Sequence, residues 1–303
     1  MATIFLTGAT SFTGCHIAHA LKAAGHRVVA ATTRRGIDAS DPRVARAGAD
    51  RWVEEAPFGS ERLLSAIREE RPAAFVNHGA DIKGYRSPDF DYLASVAKSL
   101  AGADAVAKAL AENGCRRLVH SGSFFEPDEG APDPTESTPA VSIYGVSKQM
   151  VWQPLRFFAE RAGLGVSKVV VPDPVGPLEN PDRLIPFFVS KWKAGEEPVV
   201  RTPDLVRDRV PAPWLARVYA EECAKGGEAG LSVRRPSAYA LTNRAFLDLF
   251  LTNTGKKSSW KFRLEPVASS EPVERVNREA CPELKNAKAE ELFWEEWSRS
   301  LSL

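Results

Sequence analysis

The sequence predicts an α/β fold, a doubly wound parallel sheet with a smaller C-terminal lobe. Three observations predict it. The first half alternates short apolar runs with amphipathic stretches of helical spacing, the pattern of strands joined by helical crossovers. A glycine-containing turn, Thr7-Gly8-Ala9-Thr10-Ser11-Phe12-Thr13-Gly14, separates the first apolar run from the first amphipathic one. After Val171 the alternation weakens into proline-punctuated pieces and isolated helices. The predicted division is therefore a nucleotide-binding domain over 1–171 and a substrate lobe over 172–303, partly interleaved with it.

Taken in order, Thr3–Thr7 reads as a buried strand, and Ser11–Ala24 as a helix stopped by Gly25. Arg27–Thr32 and Arg51–Val53 read as strands, Gly59–Glu70 as a helix, and Ala73–Asn77 as the fourth strand. An Ala-rich helix is expected over Ala94–Asn113, then a strand over Arg117–Ser121. Glu126–Thr138, rich in Pro, Asp, Glu and Gly, reads as an exposed loop. A helix over Ser142–Ala162 contains Pro154, which predicts a kink or an early break. Val166–Val171 is the sixth strand. Beyond it, helices are expected over Ile185–Ala194, Pro213–Ala224, Ala245–Asn253 and Ala289–Leu301.

Composition narrows the function. The net charge of +1 offers no basic field to recruit nucleic acid or an anionic membrane. The four cysteines are scattered without a CxxC pair, so neither a zinc site nor a disulfide framework is expected. The expectation is a cytoplasmic protein with reduced thiols, no metal, no signal peptide and no membrane span.

The glycine-containing turn opens a helix directly after a strand, and that context gives it meaning. A helix N-terminus presents free N–H groups and the positive end of its dipole to a pyrophosphate. Gly8 permits the tight turn and Gly14 close packing of helix on sheet. Gly8, Thr10, Ser11, Phe12, Thr13 and Gly14 are thus cofactor candidates. At the end of the second strand, where an acid would hold an NAD ribose, stands Thr32, followed by Arg34 and Arg35. Guanidinium groups suit a 2′-phosphate, so NADP(H) is favoured over NAD(H).

Tyr144-Gly145-Val146-Ser147-Lys148 places a tyrosine and a lysine four residues apart on one helix face. A carbonyl that receives hydride needs a proton donor, and a nearby ammonium favours the phenolate and eases proton release. Ser121-Gly122-Ser123 lies about twenty residues earlier, at the end of the fifth strand, where ligands of open parallel sheets bind. The catalytic candidates are therefore Tyr144, Lys148 and a hydroxyl of that segment. His78 and His120, near strand ends, read as hydrogen-bonded core residues rather than catalysts.

These motifs together resemble the TGxxGxxG turn and Ser–Tyr–Lys order of the extended short-chain dehydrogenase/reductase superfamily, the NAD-dependent epimerase/dehydratase branch, which implies a Rossmann-type domain. Ser11 stands where that family has its middle glycine. Asn77-His78-Gly79 resembles the segment lining the cofactor, which adds these residues to the cofactor set, and Ser99 stands in place of a customary Asn. In the second half, Val175-Gly176-Pro177, Leu184-Ile185-Pro186-Phe187-Phe188 and Val206-Arg207-Asp208-Arg209-Val210 resemble segments of nucleotide-sugar enzymes. The resemblance implies a diphosphate contact for Arg207 and a substrate contact for Asp173, which occupies an Asn position. Counting along the family's S-x-x-V-Y-G pattern, the resemblance assigns the catalytic hydroxyl to Ser123 rather than Ser121, implies that Tyr144 and Lys148 also touch the cofactor, and completes the substrate set with Ser123 and Phe124.

Within the branch, the residues around Ser123 are most similar to nucleotide-sugar 4-ketoreductases of the abequose- and paratose-synthase kind. Relatives that dehydrate carry Asp-Glu where Phe124 and Phe125 stand, so dehydration is not expected. The expected reaction is NADPH-dependent reduction of a keto group on a nucleotide-linked deoxysugar. A 4-epimerase with bound NAD, a reductase of a non-sugar ketone and a non-catalytic NADP-binding sensor remain alternatives. The resemblance also implies a homodimer through Ala94–Asn113 and Ser142–Ala162.

Overall fold

A computed structural model describes the chain except residues 83, 86, 88, 132, 134, 136, 228, 229 and 270. Three of these fall in the expected loop Glu126–Thr138, so that part of the expectation lies outside the described residues. In chain order the strands are β1 (Thr3–Thr7), β2 (Arg27–Ala31), β3 (Arg51–Val53), β4 (Ala74–Asn77), β5 (Arg117–Ser123), β6 (Gly165–Val171), β7 (Asp173–Val175), β8 (Val199–Val200), β9 (Val206–Pro211), β10 (Leu231–Arg234), β11 (Pro236–Ser237), β12 (Tyr239–Thr242), β13 (Arg263–Leu264), β14 (Glu274–Arg275) and β15 (Glu279–Ala280). The helices are α1 (Phe12–Ala23), α2 (Pro42–Ala47), α3 (Glu61–Glu70), α4 (Tyr92–Leu100), α5 (Ala103–Glu112), α6 (Ile143–Arg161), α7 (Leu184–Lys193), α8 (Ala212–Ala224), α9 (Asn243–Asn253) and α10 (Ala287–Ser300).

Among the described residues the main sheet has seven strands in the order β10-β6-β5-β4-β1-β2-β3, and every pairing in it is parallel. The chain builds outward from β1 in one direction, then returns to its other side with β4. The switch point between β1 and β4 is where a ligand crevice opens in such sheets.

Strand side chains alternate between two apolar layers. Ile4, Leu6, Val28 and Ala30 face one core, while Phe5, Val29 and Ala31 face the other. The first core continues into the C-terminal half, where Trp294 and Trp297 of α10 pack on Phe246 and Phe250 of α9, and Phe293 of α10 on Trp214 of α8. The second half also contributes β10 to the main sheet, and α8 packs against α1.

Two helix expectations are corrected. The single helix over Ala94–Asn113 is two helices, α4 and α5. Gly102 is left-handed (φ 59°) and breaks the run. At the break, Gly59 lies so close that a Cβ on it would stand 1.8 Å from the Ala101 carbonyl oxygen. Pro154 does not end its helix, because α6 continues to Arg161. Proline costs one backbone hydrogen bond, and the buried Val151, Trp152, Leu155 and Ala159 anchor both halves against the sheet. The fifth strand also runs two residues further than expected, so Ser123 is its last residue, paired with Val171. Among the described residues no helix is long and apolar enough to cross a membrane.

Candidate active site

The turn after β1 is built as the sequence suggests. Gly8 has φ 78°, a conformation that side chains other than glycine rarely adopt. A Cβ on Gly14 would stand 2.0 Å from the Gly8 carbonyl oxygen, so only glycine lets α1 begin this close to the turn. Ser11 caps α1, its hydroxyl accepting the Gly14 N–H at 3.1 Å. The serine in the middle-glycine position thus serves the helix start. The amides of Phe12 and Thr13 lie in the first turn, where a helix supplies no acceptor. Thr7 ties this turn to the end of β4, its hydroxyl accepting the N–H groups of His78 and Gly79 at 3.1 and 2.9 Å. These residues fit a dinucleotide: a cradle of close-packed glycines with backbone donors at its mouth.

Directly after β2, Thr32 is buried and its hydroxyl accepts the Arg34 N–H at 3.1 Å. Arg34 and Arg35 are exposed. Arg34 has one acid nearby, Asp41, at 3.8 Å, which leaves its guanidinium able to meet a phosphate.

The catalytic candidates come together. A Cβ on Gly145 would stand 1.9 Å from the Phe125 carbonyl oxygen. This close approach of α6 to the segment after β5 brings Tyr144 within hydrogen-bond contact of Ser123. The Ser123 hydroxyl already accepts the Phe125 N–H at 3.2 Å, so its own proton is available for an oxygen in front of it. Burial pushes the Tyr144 phenol up, with Tyr85 and Glu126 adding to the effect. Burial likewise pushes the Lys148 ammonium down to about 8, opposed by Glu126.

Behind this trio stands a group that the sequence reading missed. Glu126 is fully buried; one oxygen accepts the Ser123 N–H at 2.7 Å and the other the Lys168 ammonium at 2.6 Å. A lysine amid the apolar residues of β6 was the visible sign, since a buried lysine needs a partner. Tyr85 was also missed; its ring centroid is 4.8 Å from that of Tyr144.

Phe124, Asp173 and Arg207 line one cavity of about 250 Å³, with Phe125 and Arg209. Their charges are already paired. Burial pushes the Asp173 carboxyl up, but Arg183 and Arg209 together hold it below its usual range. Arg183 donates to it at 2.5 Å. Arg207 is 6% exposed and donates to the Val206 and Pro272 carbonyls and, at 2.6 Å, to Glu271. Arg207 therefore does not face the cavity as a bare cation. Asn77 and His120 are core residues in mutual contact: the Asn77 amide lies 3.3 Å from His120 Nδ1, and the His120 ring stacks on Trp152.

Residues 4–219 match the model of the NAD dependent epimerase/dehydratase family. The chain belongs to this family. As a member of the NAD dependent epimerase/dehydratase family it is an oxidoreductase-type enzyme using a nicotinamide dinucleotide. No curated protein sequence matches it. Solved structures resemble it over nearly their whole length. A UDP-glucose 4-epimerase of Thermotoga maritima aligns with TM-score 0.76 at 16% identity, covering 99% of each chain. A UDP-N-acetylglucosamine 4-epimerase of Methanobrevibacter ruminantium gives TM-score 0.77 at 15% identity, covering 99% of this chain and 97% of that one. The dTDP-glucose 4,6-dehydratase of Streptomyces venezuelae gives TM-score 0.69 at 20% identity, covering 98% and 97%. At these identities the likeness is one of fold, and it agrees with the Rossmann-type sheet described above.

Proposed function

We propose that this family member reduces a keto group on a nucleotide-linked deoxysugar, with NADPH as cofactor. The observation that carries the reading is the contact of Tyr144 with Ser123, with Lys148 buried one turn along α6. A bound reduced nicotinamide supplies hydride to the carbonyl carbon. Tyr144 gives its phenolic proton to the carbonyl oxygen, so that hydride and proton together make an alcohol. Ser123 donates a hydrogen bond to the same oxygen as negative charge develops there. The Lys148 ammonium stabilises the resulting phenolate. Phe124 and Phe125 flank the reacting centre and offer no carboxyl group to eliminate water, which disfavours dehydration.

The nucleotide-linked substrate is supported by the names of the similar structures, which are UDP-sugar epimerases and a dTDP-glucose dehydratase. NADPH is supported by the absence of an acid at Thr32 and by exposed Arg34 and Arg35. A second reading, 4-epimerisation with retained NAD, is favoured by similar UDP-glucose 4-epimerase structures that hold NAD. The homodimer is part of the proposal as well; Leu93, Met150 and Phe157 lie exposed at the start of α4 and along α6.

The deciding experiment follows absorbance of the reduced nicotinamide with UDP-, CDP- and dTDP-linked keto-deoxysugars, using NADPH and NADH in parallel. Stoichiometric consumption of NADPH in preference to NADH supports the reductase. Interconversion of sugar epimers without net consumption replaces it with the epimerase. Consumption with ketones lacking a nucleotide, unaffected by added nucleoside diphosphate, overturns the nucleotide-sugar assignment.

A further inference from the structure

A chain of side-chain hydrogen bonds runs from the phosphate turn to the far helix α8. Thr13 Oγ1 lies 2.7 Å from His78 Nε2, His78 Nδ1 lies 2.7 Å from Ser121 Oγ, and Ser121 Oγ lies 2.7 Å from Tyr219 Oη. The inner end is dry: Tyr219 is 0% and Ser121 4% exposed. At the outer end Thr13 and His78 are half-buried.

Counting protons fixes the direction of this chain. Burial, with help from the Lys148 charge, pushes the His78 imidazole down to about 3, so the ring is neutral and carries one proton. Three hydroxyls and one imidazole then bring four protons to three links, and one proton is left over. The imidazole cannot hold the spare proton, because both ring nitrogens are engaged. If Tyr219 or Ser121 held it, a buried O–H would have no acceptor among the described residues, which is costly. Only Thr13 can turn its spare proton outward, at the mouth of α1. Tyr219 therefore donates to Ser121, Ser121 to His78 Nδ1, and His78 Nε2–H to Thr13 Oγ1.

We propose that Thr13 is an obligate side-chain donor to the diphosphate of the dinucleotide, and that His78, Ser121 and Tyr219 are positioning residues that impose this polarity. The proposal rests on the reading of the β1–α1 turn as the nucleotide site. It adds to the backbone amides there a hydroxyl whose acceptor side is already filled. Diphosphate oxygens only accept, so a hydroxyl held in the donor state suits them.

The test has two independent readouts. Two-bond ¹H–¹⁵N correlation spectra of the full chain, assigned by comparison with His78→Gln, report which nitrogen of His78 carries the proton. The expected tautomer is Nε2–H; the Nδ1–H tautomer overturns the proposal. Titration of NADPH and NADH into the wild type, Thr13→Val and Thr13→Ser then reads the donor itself. A hydrogen bond to a charged group predicts that Thr13→Val weakens binding by about tenfold or more, while Thr13→Ser restores it. Equal affinity of Thr13→Val and wild type for the dinucleotide overturns the proposal. A wild type that bound neither dinucleotide would instead overturn the nucleotide reading, and with it the ligand assigned to Thr13, while the spectra would still decide the polarity of the chain.

Discussion

Lys168 Nζ lies 2.6 Å from Glu126 Oε2 inside the protein, with side-chain exposures of 6% and 0%. Gly122 makes room for the pair, since a Cβ there would stand 2.4 Å from the Lys168 Cε. Through its second oxygen Glu126 holds the Ser123 amide, so the ion pair anchors a catalytic candidate. Removing Lys168 leaves Glu126 buried without its ammonium, whereas Lys168 would keep Glu129 at 3.2 Å if Glu126 were removed. Lys168→Met is expected to destabilise the fold by about 3–5 kcal/mol in denaturant titration. The double variant Lys168→Met/Glu126→Gln should recover much of that loss. A single variant as stable as wild type would mean that the pair bears no such burden.

Tyr144→Phe should reduce turnover by roughly 10²–10⁴-fold, the range for one positioned general acid, while the dissociation constant for NADPH stays nearly unchanged. Retained turnover would remove Tyr144 from the chemistry. The pair of measurements separates proton donation from cofactor binding.

The pH profile has a definite sign. With Lys148 pushed down to about 8 by burial, its ammonium is present below that pH and lost above it. kcat/KM for reduction, which reports the free enzyme, should therefore fall as pH rises through about 8. For stability the same shift acts the other way. An unfolded lysine keeps its proton to about 10.4, so between about 8 and that value the unfolded state binds more protons. This group's contribution to folding then becomes more favourable as pH rises. Lys148→Met should abolish the activity step and raise the melting temperature at neutral pH.

Glu271, with 48% of its side chain exposed, accepts from Arg207 at 2.6 Å. Glu271→Gln weakens that hold and frees the guanidinium for a phosphate. UDP should bind a few-fold more tightly by calorimetry, with little change in melting temperature. Unchanged or weaker UDP binding would argue that Arg207 is a structural residue of β9.

The fold was legible because buried parallel strands and amphipathic helices carry distinct periods. Thr3–Thr7 and Arg51–Val53 coincide with β1 and β3. The errors arose where long-range contacts overrode local pattern. Ala94–Asn113 is Ala-rich on both sides of Gly102, and the packing of Gly59 against Ala101 decides that the chain divides at that glycine. Pro154 breaks a helix on local grounds, yet packing of Trp152 and Leu155 carries α6 past it.

The site divides in the same way. The order Ser123, Tyr144, Lys148 and the spacing of the β1–α1 turn are properties of the chain itself, because helix geometry sets the face shared by residues four apart and glycine sets the turn. Local order likewise placed Thr32, Arg34 and Arg35 where β2 gives out, and the structure has them directly after its last residue, Ala31. Which charges are free and which are spent is a property of space alone. Arg207 and Asp173 read from the sequence as expected substrate contacts, but Glu271 and Arg183, distant or irregularly spaced in sequence, neutralise them. Glu126, Lys168 and Tyr219 had no motif to announce them; only tertiary structure brings them to Ser123 and Ser121. The physical reason is that electrostatic and hydrogen-bond partners are chosen by distance in three dimensions, whereas periodicity records only which side of an element faces the core.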